Sequence, residues 1–420
     1  MNAADKKDHL VKDSLILFVA SSVVNASNFV FHMYATRNLK PEDYGVLATL
    51  LAMIWIFTMP AASLQISVVK KVSSLQANEK FGSIERLFTS ATLWFLIIAM
   101  VSFLVLVAAS KLIGNFFHIE DTMLIVILGG IIVISFALPV VRGVLQGMQK
   151  FVGLGVNMAV DSLFRLAFLV AFIAAGFGVR GALATTLCSG TSAYIIGLFT
   201  ISALFKYKQE EVQIIEKSEL FGYAVPVFLA LLGASFLSYM DLLMVKHFFS
   251  REQAGFYAVT SIIGKAFLFF PSAIIIALFP KVAAQVELNK NPRAMLFKSV
   301  GLTAAVSSAG IIFCFIFPEF VLRLLTGGDR YFAIAGIVKL FGLAILPLVL
   351  LNVVINYSLA SKKYNFIYVL YSGIAVYAGL LWFFHSSFYT VLSILFGVNT
   401  VVLILSMLSL KYDNKAAATK

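Results

Sequence analysis

The sequence predicts an all-α, polytopic membrane protein of about twelve spanning helices, arranged as two parallel six-helix bundles. Three observations carry this. Hydrophobic residues make up 61% of the 420 and charged residues only 12%, against roughly 25% charged in a soluble chain. Apolar stretches of the ~20 residues that cross a bilayer recur along the whole length. The second half also repeats features of the first at a constant offset.

In chain order, spans are expected near 14–36, 44–69, 87–112, 122–147, 152–176, 181–205, 219–247, 254–283, 295–323, 331–359, 365–385 and 389–410. The first follows Lys6, Lys7 and Lys12 and is too long for the apolar region of a cleaved signal, so it reads as a true span. Lys and Arg orient the set. Twenty lie on the side that holds the N-terminus, including Lys70, Lys71, Lys80, Lys150, Lys206, Lys208, Lys281, Lys290, Lys362 and Lys363. Eight lie opposite: Arg37, Lys40, Lys111, Arg180, Lys246, Arg251, Arg323 and Arg330. Both termini are therefore expected in the cytoplasm. The net charge of +12 is explained by this bias, and no basic cluster with interleaved aromatics suggests nucleic acid.

The repeat appears on shifting the chain by 210 residues. Glu42, Gly45 and Ala48 then lie over Glu252, Gly255 and Ala258, and Lys71-Val72 over Lys281-Val282. Six spans per half is an even number, so both halves enter the membrane in the same direction. Lobes are expected over 1–210 and 211–420, related by an axis along the membrane normal. The loops leave no room for a soluble catalytic domain. No Gly-rich phosphate loop ending in Gly-Lys-Ser/Thr occurs, no histidine pair has zinc spacing, and no Asp-x-Asp pair lies on a loop. These absences point away from an enzyme. Cys188 and Cys314 read as small hydrophobes.

The positive signal is charge inside spans, where an ionisable group normally faces a cavity or a partner. Asp161 and Arg165 are four apart in the fifth span, on one helix face where they can pair. They read either as a structural glue or as a cavity pair in which Arg165 binds an anion. Lys265 is expected too deep in the eighth span to snorkel, serving a cavity unless a neighbour neutralises it. Lys339 lies ~9 Å from the middle of the tenth span by helical rise and Arg142 near the inner end of the fourth, so snorkelling competes for both. Asp241 in the seventh span demands a partner, and Lys246, five residues on, is an imperfect helical match. Pro60, Pro139, Pro226, Pro271, Pro280 and Pro347 interrupt spans and permit bending. Gly143 and Gly147 predict close helix packing in the fourth span.

Arg37-Asn38-Leu39-Lys40-Pro41-Glu42-Asp43-Tyr44-Gly45 resembles the hallmark of the polysaccharide-transport family, the O-antigen/teichoic-acid type flippases of the multidrug/oligosaccharidyl-lipid/polysaccharide exporter superfamily. Ser250-Arg251-Glu252-Gln253-Ala254-Gly255-Phe256-Tyr257, preceded by Asp241–Lys246, is similar to it as a second copy. Leu145–Phe151 and Leu359–Asn365 are similar turns. The resemblance implies a V-shaped pair of lobes, a bacterial cytoplasmic-membrane location, and translocation of an undecaprenyl-pyrophosphate-linked oligosaccharide by alternating access. It implies as partners this lipid-linked cargo, membrane lipids, and the polymerase and glycosyltransferases of the same pathway. No cofactor is expected, and Asp161 or Asp241 is the candidate for H⁺ or Na⁺ coupling. Arg165, Lys265, Lys339 and Arg142 are the candidate binders of an anionic cargo. A cation-coupled multidrug exporter of the same superfamily is the alternative, and a polysaccharide polymerase or ligase a more distant one.

Overall fold

A computed structural model of the chain describes residues 3–202, 217–269 and 292–418, with isolated positions between 270 and 291. Among these residues every regular element is helical, and eleven helices are long and apolar enough to cross a membrane. The eighth expected span is the exception. Its α10, Arg251–Lys265, passes into a 3-10 turn at Ala266–Phe269. Most of its remainder, with Pro271, Pro280, Lys281 and Lys290, lies outside the described residues, as do Lys206 and Lys208.

The chain clusters into two compact units, Met1–Asp43 with Met53–Val225, and Tyr44–Ala52 with Pro226–Lys420. The first holds α1 (Ala3–Asn38), α3 (Met59–Ala77), α4 (Phe81–Ala108), α5 (Ser110–Phe117), α6 (Met123–Gly147), α7 (Phe151–Ala174) and α8 (Gly178–Ile201). The second holds α9 (Lys217–Phe248), α10, α11 (Arg293–Ile316), α12 (Pro318–Thr326), α13 (Ala335–Ala360), α14 (Phe366–Phe383) and α15 (Phe388–Ala418). Helix α2 (Pro41–Phe57) contributes Tyr44–Ala52 to the second unit.

The 210-residue offset recurs in the element ends. Asn38 and Phe248 end α1 and α9, Pro41 and Arg251 open α2 and α10, and Gly178 and Phe388 open α8 and α15. Local chemistry sets these ends. Pro41 stands in the first turn of α2 with Glu42 and Asp43 beside it, where a missing N–H costs nothing and carboxylates meet the positive end of the helix dipole. In α10 the same start is made by a capping box between Ser250 and Gln253. Pro60 opens α3 and divides the expected second span at Thr58. Pro139, Pro226 and Pro347 instead sit inside unbroken helices.

Each unit is built around one buried helix. In the first, α6 packs against α3, α4 and α8; in the second, α13 packs against α10, α11 and α15. Both read apolar on every face, as a helix surrounded by others must. Close approach is steric. A Cβ on Gly143 would lie 2.9 Å from Val68 Cγ1, and one on Gly147 2.6 Å from Val72 Cβ, so α3 nests on the expected small-residue pair. Within the second unit Gly45 of α2 meets its repeat partner Gly255, where an added Cβ would lie 2.9 Å from the Gly255 backbone nitrogen.

Three helix–helix turns share one closure. Glu79, Gln149 and Lys362 adopt the left-handed conformation, and Lys80, Lys150 and Lys363 follow each. Their N–H groups bond back to Leu75, Leu145 and Ser358, the six-to-one bond of a Schellman motif. These turns hold Lys80, Lys150, Lys362 and Lys363, four of the basic residues on which the expected orientation rests.

Candidate functional site

In the first unit, α7 presents Asn157, Asp161 and Arg165 at four-residue intervals, a single stripe on one helix face. The expected pairing of Asp161 with Arg165 is corrected by the structure. Asp161 Oδ2 instead accepts a hydrogen bond from Arg142 Nη2 of α6 at 2.8 Å. Arg142 Nε also donates to Asn157 Oδ1 at 2.9 Å, and Asn157 Nδ2 donates to the Ala193 carbonyl of α8 at 2.6 Å. Arg142 is thus drawn to α7 rather than snorkelling. The chain geometry explains the change: α6 runs antiparallel to α7 across a tight turn, so their side chains meet through space without sharing a helix.

Arg165 makes its hydrogen bond and its ring contact to neutral groups, with Asp161 and Arg142 within electrostatic reach. Its Nη2 donates to Asn28 Oδ1 of α1, and its guanidinium lies over the Phe31 ring, 5.3 Å from the centroid. His32, one turn beyond Asn28, stands within electrostatic reach of the same guanidinium. Two arginines and one aspartate leave one surplus positive charge. The site is part-open, with the Arg142 and Asp161 side chains 20% and 26% exposed. Asp161 Oδ1 has no bonding partner among the described residues.

In the second unit the geometry is closed. Asp241 of α9 is wholly buried, and its pairing with Lys246 is corrected as well. Oδ1 accepts from Lys265 Nζ at 2.9 Å and Oδ2 from Tyr257 Oη at 2.9 Å, both from α10. The Lys265 ammonium also lies 5.0 Å from the Tyr239 ring centroid. Lys265 is the last residue of α10, and Asp241 neutralises it. Lys246, counted with the outer loops in the sequence, is 1% exposed inside α9. Lys339 shares no partner with this pair and lies 5.5 Å from the Phe315 ring centroid.

The structure therefore brings Arg142, Asp161 and Arg165 together in one unit, pairs Asp241 with Lys265 in the other, and places Lys339 elsewhere. Sequence reasoning missed Asn28, Asn157, Phe31 and Tyr257. The spacing of Asn28 with His32, and of Asn157 with Asp161 and Arg165, was the available signal. Among the described residues no group of three or more His, Cys, Asp or Glu could hold a metal ion.

At the rim of the first unit, Asp121 binds Arg180 through contacts of 2.5 and 2.9 Å. That hydrogen-bonded guanidinium holds the Asp121 carboxyl below its ordinary range.

A chain of membrane-crossing helices in two repeated units, with charged groups bonded between its spans, is the architecture of a multi-pass membrane protein. Its family follows from comparison: the chain belongs to the family described as polysaccharide biosynthesis protein, whose model matches residues 10–286. It is 23% identical over 346 residues to the probable flippase AglR of Haloferax volcanii, covering 82% of this chain and 69% of that one. The fold is that of an inward-facing multidrug resistance transporter of the MATE family (TM-score 0.75, 14% identity, 94% of this chain and 95% of that). It is also that of the lipid II flippase MurJ in an inward closed conformation (TM-score 0.72, 11% identity, 94% and 87%).

Proposed function

We propose that this chain is a flippase that carries a lipid-linked oligosaccharide across the membrane, and that Arg165 holds the phosphate of its head group. The observation that carries the reading is the surplus charge at Arg165, a guanidinium in a spanning helix whose partners are a carboxamide and an aromatic ring. A guanidinium is a planar fork of donors that grips two phosphate oxygens at once. Asn28 yields to the phosphate without leaving a buried carboxylate unpaired. Arg142 is committed to Asp161 and serves the site by taking that carboxylate's Oδ2 hydrogen bond, which leaves Arg165 to bond Asn28. Family membership and the relative described as a flippase support the same reading.

The cargo inferred from the sequence, an undecaprenyl-pyrophosphate-linked oligosaccharide in a bacterial cytoplasmic membrane, belongs to this proposal. So do the cytoplasmic placement of both termini, the non-enzymatic role and the pathway partners. Lys265 drops out as a cargo ligand, because binding an anion there would break a buried pair. Asp161, with one free oxygen, is the better seat for a coupling cation. The fold of the multidrug transporter keeps a drug exporter as the second reading, but a cationic drug would meet the surplus positive charge.

The test is transport in proteoliposomes of one leaflet-labelled lipid-linked oligosaccharide. Arg165→Ala removes a charge-assisted contact of about 1.5–3 kcal/mol, so flipping should fall about 10- to 100-fold, with Arg165→Lys recovering part. Unchanged flipping by Arg165→Ala ends the proposal.

A further inference from the structure

From Tyr364 to Leu410 the chain carries no Asp, Glu, Lys or Arg. All of helix α14 and α15 as far as Leu410 fall within this stretch, and between them lies an open apolar groove of about 790 Å³ in the second unit. Tyr368, Val376 and Phe384 form one wall; Ile394, Gly397 and Val401 form the other. Its walls are at the surface, with Tyr368 77% and Val401 55% exposed. The groove exists because two glycines act differently. At Gly373 the Val402 side chain fills the place of the missing Cβ, so the helices touch. At Gly397 nothing lies within 4 Å of that place, so the space stays open.

Tyr368 to Phe384 is sixteen residues, ~24 Å by helical rise, close to the ~30 Å hydrocarbon thickness of a bilayer. Charge marks one end only. Lys362, exposed, and Lys363 stand in the turn leading into α14, within six residues of Tyr368. At the far end, Phe384–Ser387 offers His385 alone. An apolar channel of hydrocarbon length with cations at one mouth is complementary to a hydrocarbon chain ending in an anion.

We infer that this groove is a binding site for an anionic membrane phospholipid, its acyl chain between α14 and α15 and its phosphate at Lys362 and Lys363. The groove is open along its length, so it selects by charge and cross-section rather than by enclosing a head group. That suits a bulk lipid of the bilayer better than a scarce glycosylated one. The inference is independent of the role proposed for Arg165.

Native mass spectrometry of the full chain in detergent tests it, with phosphatidylglycerol and phosphatidylcholine of identical acyl chains. Phosphatidylglycerol should be retained preferentially. Lys362→Ala with Lys363→Ala should cut that preference about tenfold while leaving retention of phosphatidylcholine unchanged. Gly397→Leu, which raises helix propensity and fills the open space, should lower retention of both lipids several-fold. Val401→Trp fills the same groove from an exposed position and stands in should Gly397→Leu not fold. Undiminished retention in the folded filling variant overturns the site, and an undiminished preference in the double lysine variant overturns the head-group assignment. Displacement of phosphatidylglycerol by an equal concentration of undecaprenyl phosphate overturns the choice of occupant.

Discussion

The buried Asp241–Lys265 pair and the part-open Arg142–Asp161 pair look alike as contacts, at 2.9 and 2.8 Å, yet they predict different behaviour on substitution. At 9% and 0% side-chain exposure, loss of one partner leaves an uncompensated charge in an apolar interior. Asp241→Asn or Lys265→Met should each cost about 3–5 kcal/mol, read as a lower melting temperature in detergent. Asp241→Leu combined with Lys265→Met should recover most of it, because removing both charges leaves no orphan. Arg165→Ala, whose hydrogen-bond partner is neutral and whose neighbour Asp161 keeps its bond to Arg142, should lower the melting temperature far less while flipping falls. The residue types at these positions were legible in the sequence, since a charge within an apolar run is conspicuous. The pairings were not. Asp161 and Arg165 share a helix face, but Arg142 reaches Asp161 from a neighbouring helix, and only packing decides which contact forms.

Helices and their junctions carry the next two predictions. Gly147→Leu should destabilise the first unit by about 1–3 kcal/mol. Its Cβ alone would lie 2.6 Å from Val72 Cβ and 3.0 Å from the Val69 carbonyl, so α3 must move off α6; thermal unfolding measures the loss. The small-residue pair was visible in the sequence, whereas its partner helix was not. The Asp121–Arg180 bridge ties the turn before α6 to the start of α8. Because the folded Asp121 carboxyl titrates below its ordinary value, its contribution is present above the unfolded carboxylate range. It is lost as pH falls through the lowered folded value. Asp121→Asn should therefore melt below the unaltered protein at pH 6, with the difference shrinking as pH falls below the ordinary carboxylate range. Span two remains one apolar crossing with a break at Thr58, and the described part of span eight changes helix type. Pro60 divides the second because its ring belongs in a first helical turn. In the eighth, α10 gives way to a 3-10 turn after Lys265, at the residue tied back to Asp241.

For the molecule as a whole, hydropathy and the 210-residue offset were enough to anticipate the polytopic class and the recurrence of helix ends in the second half. Both are properties of spacing, which a sequence displays directly. The orientation proposed from the basic turns is checked by single cysteines at exposed sites. A maleimide that cannot cross membranes, applied to intact cells, should label Arg180→Cys but not Gln149→Cys, and the reverse should hold in inverted vesicles. Equal labelling of both from one face would remove the inside placement of the termini.

Asp241 and Lys265 together carry no net charge, so a transmembrane voltage does no net work on them, wherever the helices that hold them travel. The surplus positive charge beside Asn28 is a different electrical object. Each elementary charge that crosses 100 mV exchanges about 2.3 kcal/mol with the field. If Arg165 holds the cargo as proposed, a phosphate seated there would cancel one of its charges against the guanidinium for the length of the journey. An empty return stroke under that proposal would carry the guanidinium uncancelled. The voltage across the membrane would then bias the loaded and unloaded strokes differently, without any further ion having to be bound.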